Sequence, residues 1–191
     1  MPELRTRKQI RLPNYDYSGN GYYFVTICSR NREHVFRNVG AVLAPARYPS
    51  SDTLASAQSP VSELSTCGQI IERQWLDLPN QFDHLELDEY VIMPNHVHGI
   101  LILNNRTPAG LRAQASSART ISHIIRSFKS RSAMEYLQFI KANNLNVSGK
   151  IWQRSFHDHI IRNERSLNAI RKYILDNPIN WEQDIENLLN Q

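Results

Sequence analysis

Two histidines stand two residues apart in the stretch Val91-Ile92-Met93-Pro94-Asn95-His96-Val97-His98-Gly99-Ile100-Leu101-Ile102-Leu103. An apolar run leads into Pro94-Asn95, a turn signal, and a second apolar run leaves it. In a strand, residues i and i+2 point to the same face, so the two imidazoles stand side by side. A rigid imidazole pair supplies most of a metal site, and further ligands must come from elsewhere in the chain. A phenol and a carboxamide, Tyr173 and Asn177, lie four residues apart in Tyr173-Ile174-Leu175-Asp176-Asn177. On a helix that spacing puts both on one face.

These groups add up to one chemistry. His96, His98 and Asn177 are all neutral ligands, so a divalent ion between them keeps its full charge and suits a phosphodiester. Ionising a free phenol at pH 7 costs about 4 kcal/mol, much of which a nearby dication offsets. Tyr173 is then a nucleophile toward phosphorus, giving a phosphotyrosine on one strand end and a hydroxyl on the other. Covalent capture conserves the bond for rejoining. His157-Asp158-His159 is a rival pair with a charged residue between its rings. If it is a strand, both rings share one face and Asp158 lies opposite.

The elements that position these residues follow from pattern. Tyr22 to Cys28 is aromatic and β-branched and reads as a strand. Gly68 to Leu78 carries a helical stripe ended by Pro79, and Leu85 to Met93 is the strand entering the turn. Thr120 opens a helix whose Ile121, Ile124, Ile125, Phe128 and Met134 are expected to face inward. Ile151 to Ile161 reads as a last strand. Asn163 or Ser166 caps a final helix with the seam Leu167, Ile170 and Ile174, which Pro178 ends. Trp181 to Leu189 reads as a short further helix. The order strand, helix, strand, strand, helix, strand, helix predicts an α+β fold of ferredoxin-like type: an antiparallel β-sheet with helices packed on it. Residues 44–62 turn to Ala, Ser and Pro and read as an insertion-like surface loop in an otherwise single domain spanning 1–191. Residues 104–119 read as a second loop.

The chain has 191 residues and a net charge of +4. That bias fits a polyanion partner without requiring one. Arg5, Arg7 and Lys8 form a basic arm with Arg11. Arg119, Arg126, Lys129 and Arg131 decorate the second helix with one sign of charge, as a surface that tracks phosphates would. Cys28 and Cys67 form no CxxC pair and read as ordinary thiols in a reducing compartment. No apolar run is long enough for a membrane span and no signal segment is visible, so a cytoplasmic protein is expected.

His96-Val97-His98 resembles the His-hydrophobe-His signature of HUH endonucleases. Met93-Pro94-Asn95-His96-Val97-His98, with Tyr173-Ile174-Leu175-Asp176-Asn177-Pro178 and the block from Trp152 to Glu164, is similar to the REP-associated tyrosine transposases. The likeness runs from about Tyr22 to Trp181. It implies an HUH fold and Mg²⁺ or Mn²⁺ on His96, His98 and a helix amide. It also implies Tyr173 as the nucleophile forming a 5′-phosphotyrosine, and single-stranded DNA beside a hairpin as substrate. Asn177 stands where related insertion-sequence enzymes carry Gln. Arg154, inside the matching block, joins the expected DNA contacts. Both a homodimer and a monomer are compatible with the family. Two readings compete: a nucleic-acid-binding module that kept the fold and lost catalysis, and a zinc hydrolase, for which no third His, Cys or acid stands at zinc-like spacing.

Overall fold

A computed structural model describes residues 20–37, 63–104, 120–181, 184 and 186. The basic arm (Arg5, Arg7, Lys8), the loop at 44–62, Arg119 and most of 182–189 lie outside the described residues.

Four strands, β1 (Gly21–Cys28), β2 (Leu85–Ile92), β3 (His96–Leu103) and β4 (His157–Ile161), pair antiparallel in the order β2-β3-β1-β4. β1 and β2 are both antiparallel to β3, which lies between them. That is the split βαβ arrangement of the ferredoxin-like class, and the expected α+β fold is what forms. The helices are α1 (Thr66–Leu76), α2 (Leu78–Gln81, a single turn), α3 (Ile121–Ala142) and α4 (Glu164–Asp176).

Side-chain alternation divides the sheet into two faces. Tyr23, Val25, Ile27, Val97, Leu101 and Ile160 pack against Ile71 and Trp75 of α1 and Ile124, Ile125 and Phe128 of α3. The other face carries a smaller cluster: Val91, Met93, Ile100 and Ile161 against Leu167 and Ile174 of α4, with Trp181. Gly99 lets the larger layer close. A Cβ there would meet the Trp75 ring at 2.3 Å, so the indole lies directly on the strand that carries His98.

The caps form as their sequences dictate. Ser65 accepts from Gly68 N–H, Thr120 from His123 N–H and Asn163 from Ser166 N–H. Three expectations need correction. Pro79 does not end the first helix, which stops at Leu76. It sits instead in the first turn of α2, where its missing N–H costs nothing. Met134 is 60 % exposed, because the buried stripe of α3 passes through Ser132 and Ile140 instead. The last strand is shorter than Ile151–Ile161: only His157–Ile161 pairs continuously, and Trp152 makes an isolated bridge to Ser29.

β2 contains a bulge. Leu87 pairs with Leu101 but Tyr90 pairs with Gly99, so β2 spends three residues where β3 spends two. Asp88, in the bulge, takes the guanidinium of Arg171 on α4 through Nε at 3.1 Å to both carboxylate oxygens and a second nitrogen at 2.6 Å. None of the described helices is long and apolar enough to cross a membrane.

Candidate metal and nucleophile site

The Met93–His96 turn closes with Met93 N–H donating to His96 C=O at 2.8 Å. β3 leaves it in the middle of the sheet, so His96 and His98 are 0 % and 3 % exposed. Their ring centroids lie 4.3 Å apart on the α4 face.

Each ring has its Nδ1 engaged by a neighbour. Asn95 Nδ2 donates to the carbonyls of Arg32 and Glu186, which fixes the orientation of its amide. Its Oδ1 then accepts from His96 Nδ1 at 2.9 Å, and His96 Nε2 is left with a lone pair. Thr26 Oγ1, on the neighbouring strand, lies 2.9 Å from His98 Nδ1. That contact holds the second ring so that its Nε2 faces the same space as that of His96.

Burial keeps both rings neutral. The pKa of His96 is pushed down to about 3, first by burial and then by the Arg32 guanidinium. His98 is held well below the usual range by burial and by His96, against the pull of the Asp184 carboxylate. Neutral imidazoles are the form that binds a metal ion.

α4 delivers the rest. Tyr173 is 44 % exposed, and its hydroxyl lies 3.3 Å from His98 Nε2. Phe24 packs edge-on against the phenol and beside the His98 ring. The phenol's pKa is raised to about 12 by burial and by the carboxylates of Asp184 and Glu186, while a hydrogen bond from Asn177 opposes the rise. The helix stops at Asp176 before Pro178, yet Asn177 keeps helical φ and ψ. Its buried side chain therefore stays one turn beyond Tyr173, with Oδ1 lacking a hydrogen-bond partner.

Asp184 was not foreseen. His96, His98 and Asp184 place ligand atoms within 4.8 Å of one another, and Asp184 Oδ2 lies 3.7 Å from His96 Nε2. Beside the neutral ligands expected, a buried carboxylate reaches the histidines from the segment after α4. No spacing rule links residues so far apart in sequence. The only signal was Trp181, whose apolar ring holds that segment against the α4 face.

These residues fit a divalent cation. His96 Nε2 and Asn177 Oδ1 are buried without hydrogen-bond partners, and a mixed set of N and O donors of this kind suits a divalent metal ion. The second pair, His157 and His159, projects from the same face but is exposed. β4 is an edge strand, and its register sets His157 beside Thr26 and His159 beside Phe24.

The expected DNA contacts are not brought to this face. Arg126, Lys129 and Arg131 sit on α3, across the sheet. Lys129 Nζ donates to the carbonyls of Gln153 and Ser155, and burial lowers its pKa to about 8. Arg131 binds Gln74 and Asp77, whereas Arg126 and Arg154 are exposed.

The transposase IS200-like family model matches residues 77–177, which hold both histidines, Tyr173 and Asn177. An uncharacterized protein of Haemophilus influenzae is 34 % identical over 95 % of this chain and 93 % of its own. The solved structure of a REP-associated tyrosine transposase bound to a REP hairpin is 22 % identical with a TM-score of 0.48, covering 95 % of this chain and 74 % of that one. A transposase structure from Deinococcus radiodurans R1 is 17 % identical with a TM-score of 0.42, covering 86 % and 94 %. On the strength of the family match and the close relative, the chain belongs to the IS200-like transposases.

Proposed function

We propose that this protein cuts and rejoins single-stranded DNA beside hairpins, in the manner of a REP-associated tyrosine transposase acting on repeated extragenic palindromes. One observation carries the reading: the Tyr173 hydroxyl lies 3.3 Å from His98 Nε2, at the edge of a buried donor cluster. His96 and His98 would hold Mg²⁺ or Mn²⁺, with the Asn177 amide and the Asp184 carboxylate available to complete the shell. The chemistry such an ion supplies is withdrawal of charge from a non-bridging phosphate oxygen and from the phenol.

The chain's own groups do the rest. Tyr173 Oη attacks phosphorus; the P–Oη bond forms and the P–O3′ bond breaks. The phenol's proton passes to solvent water, the 3′ oxygen takes one from solvent as it leaves, and the 5′ phosphate stays on the tyrosine. Rejoining reverses the sequence with a 3′ hydroxyl as the attacking group. A phenol with a pKa pushed up to about 12 is mostly protonated at neutral pH, so its attack requires that charge be drawn from it. Asn177, one helical turn away, steadies the phenolate by its hydrogen bond. Thr26 and Asn95 keep the ring nitrogens aimed.

The test is a labelled hairpin oligonucleotide with unpaired flanks, incubated with Mn²⁺ and run on a denaturing gel. A covalent adduct is expected, lost in Tyr173→Phe while hairpin binding is retained. An adduct that persists in that variant refutes the assignment of the nucleophile. Binding with no adduct under any divalent ion favours the catalytically silent DNA-binding module.

A further inference from the structure

His157-Asp158-His159 has no part in the site described above, yet it carries metal-ligand chemistry of its own. It lies on β4, which has β1 on one side and stands at the edge of the four-stranded sheet. His157 and His159 are exposed, with Asp158 half-buried between them. Strand alternation puts the two rings on the α4 side and sends the Asp158 carboxylate to the other. Pairing with β1 from Tyr22 to Thr26 fixes the backbone from which both rings project.

The spacing lets two imidazoles share one ion. Residues two apart on a strand are separated by about 6.7 Å along it, within reach of two rings that lean together. His96 and His98 have the same spacing in the same sheet, and their ring centroids lie 4.3 Å apart. The outer rings are not held by packing. Among the described residues neither makes a hydrogen bond or an ion pair, so both side chains can turn toward a common point in solvent. Once one ring holds an ion, the second meets it at high effective concentration, because both are fixed to one strand.

The donor set decides which ion. The inner site mixes two ring nitrogens with the oxygens of Asn177 and Asp184. The edge pair offers nitrogen alone, since Asp158 faces away. Two exposed imidazoles give an oxygen-preferring ion such as Mg²⁺ little to replace its water. They suit Zn²⁺, Ni²⁺ and Cu²⁺, whose affinity for nitrogen donors is higher.

We infer that His157 and His159 form a second metal site, which chelates Zn²⁺, Ni²⁺ or Cu²⁺ at the open edge of the sheet and has no use for Mg²⁺ or Mn²⁺. The register sets His157 beside Thr26 and Thr26 beside His98, so this site lies two strands from the inner one, roughly 10 Å away at the usual strand spacing. Two ions therefore occupy one face of the sheet without sharing a ligand. The outer ion keeps its remaining positions turned to solvent, open to water or to an anionic ligand. This goes beyond the DNA-processing function proposed above and does not depend on it.

The experiment titrates Zn²⁺ calorimetrically into the full chain and into the variant His157→Ala/His159→Ala, with circular dichroism of each to confirm the fold. The unaltered chain is expected to bind about one equivalent of Zn²⁺ more than the variant. Each single variant should weaken that additional binding at least about tenfold, because either substitution breaks the chelate. Mn²⁺ is expected to bind both chains with the same stoichiometry. Electron paramagnetic resonance with Cu²⁺ gives a reading independent of heat: the unaltered chain should show a nitrogen-split component that the double variant lacks. Equal Zn²⁺ stoichiometry in the two chains overturns the site, as does an identical Cu²⁺ spectrum. Loss of a Mn²⁺ equivalent with the edge pair overturns the selectivity. None of these readings uses adduct formation, so their failure is distinct from a failure of the Tyr173 chemistry.

Discussion

The sheet presents two His-x-His pairs on the same face, and they differ in nearly every property that matters. His96 and His98 lie on a central strand, are buried, and each has one ring nitrogen held by a neighbour. His157 and His159 lie on the edge strand and are exposed. The residue between the first pair is Val97, wholly buried in the larger core; between the second it is Asp158. Spacing alone gives two rings on one side of a strand. Position in the sheet decides whether they are desolvated, neutral and aimed. The lesson is that a metal pair is made by the strand's neighbours as much as by its own residues.

The largest expected effect breaks that comparison directly. His96→Ala or His98→Ala should reduce Mn²⁺-dependent adduct formation by at least about 100-fold, more than the usual loss of an outer-sphere partner. His157→Ala and His159→Ala should change it by about twofold or less, as exposed positions do. Gel quantification of initial rates decides it, and a large loss from the edge pair would reverse the assignment.

A second experiment sharpens it by leaving both rings in place. Thr26→Val and Asn95→Ala remove the groups that orient His98 and His96. Each should lower Mn²⁺ affinity about 10- to 100-fold. Calorimetric titration of the ion reads this without any DNA present.

The smallest effect is on stability. The His96 pKa is depressed in the folded chain to about 3, against about 6.5 for a free ring. Between those values the unfolded chain binds the extra proton, so stability is intact above pH 6.5 and declines as pH falls toward 3. At pH 5 this one ring should cost about 2 kcal/mol relative to neutral pH. Thermal denaturation in chelator at pH 7.5 and 5 measures it. His96→Leu should shrink the difference.

Much of this was legible in the sequence, for identifiable reasons. The period-2 run after Asn95 and the i, i+4 spacing of Tyr173 and Asn177 are local signals, and local signals survive folding. The cap at Asn163 and the order of elements were readable for the same reason. Asp184 was not, because its approach to His96 depends on how the chain turns back after α4. Nor was the role of Asn95, read as a turn residue: its carboxamide joins three segments that are far apart in sequence. The side on which the α3 cations lie was not legible either. Their one-signed charge is real, but helix periodicity does not say on which side of a sheet the helix will pack.

The bulge in β2 carries a consequence of its own. Removing one residue between Leu87 and Tyr90 would give an unbroken ladder and keep every apolar side chain on its present side. The strand is thus one residue longer than its pairing requires. That surplus aims Asp88 at Arg171, two positions before the tyrosine, so a shortened β2 would spare the architecture while releasing the rotational set of the helix that presents the phenol.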